Sequence, residues 1–249
     1  MDLIDRSSNG ASVSPTSNGF RLTIPASSQN SYRLAQLDDT TRLPRRKFSA
    51  YVPLVFSLRA RVSSQSIPGT WGFGLWNEPF GLSLGFGGNP LRLPALPNAV
   101  WFFHASSKNY LSFRDDQPAQ GFLAQVFSSP SFHPYLLTTI PTFLFSKRKA
   151  RQALSRFINE DSAAISADTT QWHNYRFEWS LNQSAFWVDD VQVLETSVSP
   201  RPPLGPVIWI DNQYAAFTPD GKINLGLEKN LSQVWLEIEN IEIKKSGPV

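Results

Sequence analysis

Along most of this chain apolar residues alternate with polar ones, the pattern of a strand with one buried face. In LVFSLRARV, Leu54, Phe56, Leu58, Ala60 and Val62 share one face, and Ser57, Arg59 and Arg61 share the other, so 54–62 is the clearest strand. The same period predicts strands over 20–24, 70–76, 99–104, 173–180, 184–188, 207–211 and 235–243. Turn-rich segments holding most of the 19 prolines separate them. In HNYRFEWSLNQSAFWVDDVQVLETS, Tyr175, Phe177 and Trp179 alternate with Asn174, Arg176 and Glu178 before a turn at 181–183. That segment predicts a hairpin, with a second tight turn at Asp189 and Asp190. The last strand keeps its apolar residues on even positions through Leu236 and Ile238, then on odd positions at Ile241 and Ile243. Such a slip predicts a β-bulge near Glu239 and Asn240.

One stretch departs from this period. FSKRKARQALSRFINEDSAAI has helix formers, no Pro or Gly, and Ala150, Leu154, Phe157 and Ile158 at helical spacing. It predicts a short helix from about Lys147 to Asn159. Its Lys147, Arg148, Lys149, Arg151 and Arg156 are expected on a solvated face. There is no internal repeat, and the Pro-rich RLPALPN at 92–98 reads as a loop between strands. A single domain over 1–249 is expected.

Composition narrows the class. With 41% hydrophobic and 17% charged residues the chain carries enough apolar material for a large core and too little charge for disorder. The absence of cysteine excludes disulfides, thiolate metal sites and cysteine nucleophiles. Its 23 basic and 20 acidic residues are interspersed, so the net charge of +3 does not argue for a nucleic-acid partner. No run of about 18 apolar residues spans a membrane. The opening MDLIDRSSNG lacks an apolar core, so a cytoplasmic location is expected, or a secreted one if a leader has been removed.

Three segments, in order, are similar to the family 16 glycoside hydrolases of the concanavalin A-like group. PGTWGFGLWNEPFG at 68–81 resembles the strand that carries substrate-lining tryptophans. QWHNYRFEWSLNQSAFWVDDVQVLET at 171–196 resembles the family's W/F-H-x-Y-x-x-E-W hairpin with its W/Y-x-V-D-G strand, and QVWLEIENIEIKK at 233–245 resembles the closing strand. The resemblance implies an all-β fold, a two-sheet antiparallel jelly-roll β-sandwich of the lectin/glucanase type, here with one short inserted helix. It also implies a glycan-binding groove on the concave sheet. The family's two carboxylates stand on one strand as E-x-D-x-E or E-x-D-x-x-E, as a retaining mechanism requires of paired acids. In this chain the strand after the Trp-rich one is AVWFFHAS, with no carboxylate, so the resemblance carries the scaffold and not the hydrolase activity.

Other residues are candidates for chemistry. Glu78, after Trp76 and Asn77, is the acid nearest the Trp-rich strand. In VIWIDNQYA, Trp209 and Asp211 fall on one face, so an aromatic ring and an acid project together, with Asn212 and Gln213 following. His104 shares a face with Val100 and Phe102, where it is either a packed histidine or a base. The candidate catalytic residues are therefore Glu78, Asp211 and His104. Trp71, Trp76, Trp101 and Trp209 offer stacking faces, and Asn77, Asn212 and Gln213 offer polar partners. Asp38 and Asp39 read as turn or capping residues. His133 and His173 are far apart in sequence, so no metal or other cofactor is expected beyond a structural calcium held by carbonyls and an Asp. GLSLGFGG at 81–88 reads as a loop at the groove rim.

Three functions are compatible with these residues. One is a carbohydrate-binding or degenerate glycosidase-like protein. A second is a non-hydrolytic enzyme, a cyclase or isomerase, acting on a small hydrophobic molecule with Glu78 or Asp211 as its acid. The third is an atypical glycoside hydrolase using Glu78.

Overall fold

The computed structural model describes residues 3–28, 31–40, 43–79, 92, 95–130 and 146–245. Two seven-stranded antiparallel sheets face each other. The first runs in the order β1 (Ile4–Ser8), β4 (Leu34–Asp38), β13 (Gly205–Asp211), β6 (Thr70–Trp76), β7 (Ala99–Ala105), β8 (Gly121–Ser128), β9 (Asn159–Ala164). The second runs β12 (Val191–Thr196), β11 (Ser184–Val188), β10 (His173–Trp179), β5 (Leu54–Val62), β16 (Val234–Lys245), β3 (Gly19–Ile24), β2 (Ser12–Pro15). A separate hairpin pairs β14 (Gln213–Phe217) with β15 (Ile223–Leu227). Among the described residues no helix is long and apolar enough to cross a membrane.

The alternating residues of β5 make the floor of the core between the sheets, and its burial alternates strictly along all nine positions. Aromatic rings from both sheets interlock there. Phe56 stacks on Phe177 at 4.9 Å, Phe102 meets Phe186 edge-on at 5.3 Å, and Phe73 meets Tyr175 at 5.1 Å. Facing sheets with interdigitated inner side chains are the sandwich architecture the sequence predicts. Where the chain turns, the local residues match the backbone needed. Asp189 and Asp190 both take positive φ, 47° and 65°, between β11 and β12, and the register of β16 against β5 shifts between Glu239 and Glu242, with Asn240 at φ 52°. These are the turn and bulge that the sequence predicts.

Two expectations need correction. The helix α1 spans Lys147–Ser155, and the residues after it do not continue it, because Asn159–Ala164 forms the edge strand β9 beside β8. The basic face is not wholly solvated either, since Arg151 is buried. Residues 81–88 and His133 lie outside the described residues.

The central strands of the first sheet are buried on both faces. Every residue of β4, β7 and β13 is buried, in contrast to the one-sided burial usual for antiparallel sheets. The cover comes from the β14–β15 hairpin, the segment around 109–113, and α1. Tyr110 joins the hairpin through its N–H to the Ala215 carbonyl, and its own carbonyl accepts from the Phe217 N–H. Between this cover and the sheet lies a second apolar cluster, in which Trp101, Phe103, Trp209 and Phe127 pack with Leu111, Phe113 and Leu154.

Candidate functional site

Register decides which side chains meet on the covered face. Three cross-strand rows run over it. Asp211 pairs with Thr70 and Leu34, Trp209 with Gly72 and Gln36, and Val207 with Gly74 and Asp38. Through β7 and β8 the second row continues to Phe103, and the third to Trp101 and Gln125. Side chains alternate across a strand, so all of these point away from the inter-sheet core. Gly72 and Gly74 leave room for large rings on either side.

The result is a chamber of about 390 Å³ lined by residues of β4, β6, β7, β8 and β13 below and by the hairpin, the 109–113 segment, α1 and residues 95–97 around it. That is the size of a site for a small organic molecule, typically about 300–1,000 Å³. Its floor is aromatic. Trp76 lies parallel to Trp209 at 6.2 Å, Trp101 is tilted against Trp209 at 5.4 Å, and Phe103 stacks on Trp101 at 5.3 Å. Indole N–H groups are the polar edges of such rings, and those of Trp101 and Trp209 are satisfied at the sides. Trp101 donates to Gln125 Oε1 at 3.2 Å and Trp209 to Thr70 Oγ1 at 3.0 Å.

Asp211 brings the acid. Its Oδ1 accepts from the Thr70 hydroxyl at 2.7 Å and from the Thr70 and Gln213 N–H groups at 3.3 Å, while Oδ2 accepts from the Tyr32 hydroxyl at 3.3 Å. Burial pushes its carboxyl up to about 7, against the pull of those donors. Tyr32 is held well above its ordinary value by the same burial and by the neighbouring Asp211, with Arg6 acting in the opposite sense. An acid that exchanges its proton near neutrality, in an apolar chamber, is suited to donating a proton to a bound molecule.

The other candidates separate into two groups. Trp76, Trp101, Trp209, Asp211 and Gln213 line the chamber. Trp71 and His104 project to the opposite side, into the core between the sheets, where their rings stack at 5.4 Å and Trp71 also stacks on Phe122. Burial lowers the His104 ring to about 4, so it is a neutral packed histidine. Asn212 is fully buried behind the chamber. Its Oδ1 accepts from the Arg33 N–H, and its Nδ2 donates to the Ser31 and Glu228 carbonyls, which ties the end of β13 to two loops. Asn77 likewise bridges backbone, from the Leu96 carbonyl to the Asn98 N–H.

Glu78 stands apart from the chamber. It is buried at φ 47° and ion-paired with the buried Arg92, with Arg6 at 3.9 Å, while its carbonyl accepts from Arg45. This is a charge cluster that fastens the segment after β6. Asp38 also serves its own turn, accepting from Gln36 Nε2 and from the Thr40 N–H and hydroxyl. Among the described residues no group of three or more His, Asp or Glu side chains is placed to hold a metal ion.

Several lining residues carry no signal in the sequence. Tyr32 meets Asp211 across 179 positions, and Gln36, Thr70 and Gln125 become site residues only through register. Phe103 was legible, being two positions from Trp101 on one strand.

No protein-family model and no curated protein matches the sequence. Among solved structures, a glycosidic hydrolase matches 94% of this chain and 81% of its own, with 12% identity and a TM-score of 0.51. The Bacillus licheniformis β-glucanase matches 98% of this chain and 92% of its own, at 12% identity and a TM-score of 0.49. A sialidase matches 97% of this chain at 8% identity and a TM-score of 0.43, and this chain spans only 17% of its length. The likeness to the glycosidic hydrolase shows a shared fold, the two-sheet jelly-roll sandwich.

Proposed function

We propose that the chamber binds a small, mostly apolar molecule and that Asp211 acts on it as a proton donor or acceptor, in an isomerisation or cyclisation. One observation carries this reading: a cavity floored by tryptophans and walled mostly by aliphatic and aromatic side chains holds a single carboxyl among its described lining residues. A sugar would need many hydroxyl partners. Here Thr70 is engaged with Asp211 and Trp209, Gln125 with Trp101 and the Leu111 carbonyl, and Asn109 with the Gly69 carbonyl and the Ala215 N–H. Groups already bonded within the protein gain little from a ligand hydroxyl. Double-carboxylate hydrolysis is poorly supported for the same reason, since Glu78 does not line the chamber.

Glycan binding is the second reading, favoured by the flat faces of Trp76, Trp101 and Trp209. Tryptophan fluorescence titrations separate the two. Saturable quenching by apolar polycyclic or polyene compounds is expected. Response to β-glucan oligosaccharides alone would overturn the proposal in favour of the glycan reading.

A further inference from the structure

The polar lining of the chamber is electrically one-sided. The chain carries 23 Lys and Arg residues, yet none of them, and no histidine, is among the described residues that line the cavity. Among those described residues the one carboxyl is that of Asp211. Around it stand rings whose faces carry negative quadrupole charge, Trp209 two residues before it on the same face of β13 and Tyr32 hydrogen-bonded to its Oδ2. The N–H edges of Trp101 and Trp209 are turned to Gln125 and Thr70, so their polar groups are occupied and the rings present only π-surface to the chamber they line.

From this arrangement we propose that the chamber takes an organic cation, an apolar amine whose positive nitrogen sits beside the Asp211 carboxylate and over the faces of Trp209 and Tyr32. The inference rests on the reading of the chamber as a ligand site and adds the charge of the ligand. Three features support it. A cation over an indole or phenol face is attracted more strongly where it is partly desolvated, as it is in a chamber lined mostly by apolar side chains. Asp211 Oδ1 is saturated by three donors, whereas Oδ2 accepts one long bond from Tyr32 and has lone-pair capacity for another donor. An anionic ligand would meet a carboxylate with no lining cation to offset it, and a neutral one would leave the charge complementarity unused.

Asp211 also has a structural role, since Oδ1 receives the ends of β6 and β14. Asp211→Asn keeps an acceptor oxygen for those bonds and removes the charge. The test measures three probes of similar size by fluorescence titration at about pH 8, where Asp211 is ionised: 1-naphthylmethylammonium, which carries N–H donors, its carbon isostere 1-ethylnaphthalene, and 1-naphthylacetate. The cation is expected to bind roughly tenfold or more tightly than the isostere, with the anion weakest. In Asp211→Asn the ratio of cation to isostere affinity should fall at least about threefold, because the attraction of the carboxylate is lost.

Equal or tighter binding of the isostere to the wild-type protein would overturn the inference and leave the chamber reading standing. An undiminished cation preference in Asp211→Asn would also overturn it. Binding of none of the three would count against the chamber itself, and the inference would fall with it. Because the comparison of probes uses the wild-type protein, it holds even if the variant folds poorly.

Discussion

The indole of Trp209 lies directly over Gly72. A Cβ at Gly72 would stand 2.7 Å from the ring's Cη2 and 2.5 Å from the Phe102 carbonyl oxygen. The missing side chain on β6 is therefore what allows the central ring of the chamber floor to approach the strand so closely. Gly72→Ala is expected to displace Trp209 and cost about 1–3 kcal/mol, the usual penalty of overpacking. Weakened binding of an apolar probe, together with a lowered melting temperature, would be the result. An unchanged affinity would show that Trp209 is not part of the binding surface.

Glu78 separates stability from binding. Replacing it with Gln leaves the buried Arg92 guanidinium without its carboxylate, and breaking a buried pair from one side costs about 3–5 kcal/mol. For a chain of this size each kcal/mol lowers the melting temperature by about 2–4 °C. Probe affinity measured well below the transition should stay within about twofold, since Glu78 lies outside the chamber. A large loss of affinity with little loss of stability would return Glu78 to the site.

Two buried groups give opposite pH dependences. Asp211 is raised from 3.8 to about 7, so the folded chain holds a proton that the unfolded chain releases. Its contribution is full below about pH 4 and is lost as pH rises through about 7. His104 is lowered from 6.5 to about 4, so its contribution is full above 6.5 and is lost as pH falls through about 4. Between about pH 4 and 6.5 the two slopes oppose each other. Urea unfolding of wild type and Asp211→Asn across pH 4 to 8 should show the variant gaining relative to wild type as pH rises, by on the order of a few kcal/mol. A pH-independent difference would rule out the raised carboxyl.

Arg151 fastens the cover. Its guanidinium donates to the Phe217 carbonyl of β14 and the Ser112 carbonyl, pairs with Asp115, and lies 5.6 Å above the Tyr110 ring. One side chain of α1 thus holds both other parts of the roof. Arg151→Leu should raise amide exchange over 109–117 and 213–217 at least about tenfold, with little change in β5 or β16 of the second sheet. Equal protection in the variant would show that the apolar contacts alone hold the roof.

The sequence by itself determined the sandwich and much of its second sheet. In β5 and β10 one face meets the core and the other meets solvent, and alternation records that difference residue by residue. Asp189, Asp190 and Asn240 announce their turns and bulge because short polar side chains tolerate left-handed backbone. Tertiary structure decided the covered face of the first sheet. Strands such as β8, GFLAQVFS, are buried on nearly every residue once the roof closes, so they carry no period and went unpredicted. The polar β9, NEDSAA, is an edge strand held by its neighbour rather than by its own pattern. The same limit applies to the chemistry. Alternation placed Trp209 and Asp211 together on one face, but only cross-strand register shows that this face is the chamber, that Trp71 and His104 point away from it, and that Tyr32 completes the acid. Contacts between strands far apart in sequence are fixed by pairing and burial, and no local spacing records them.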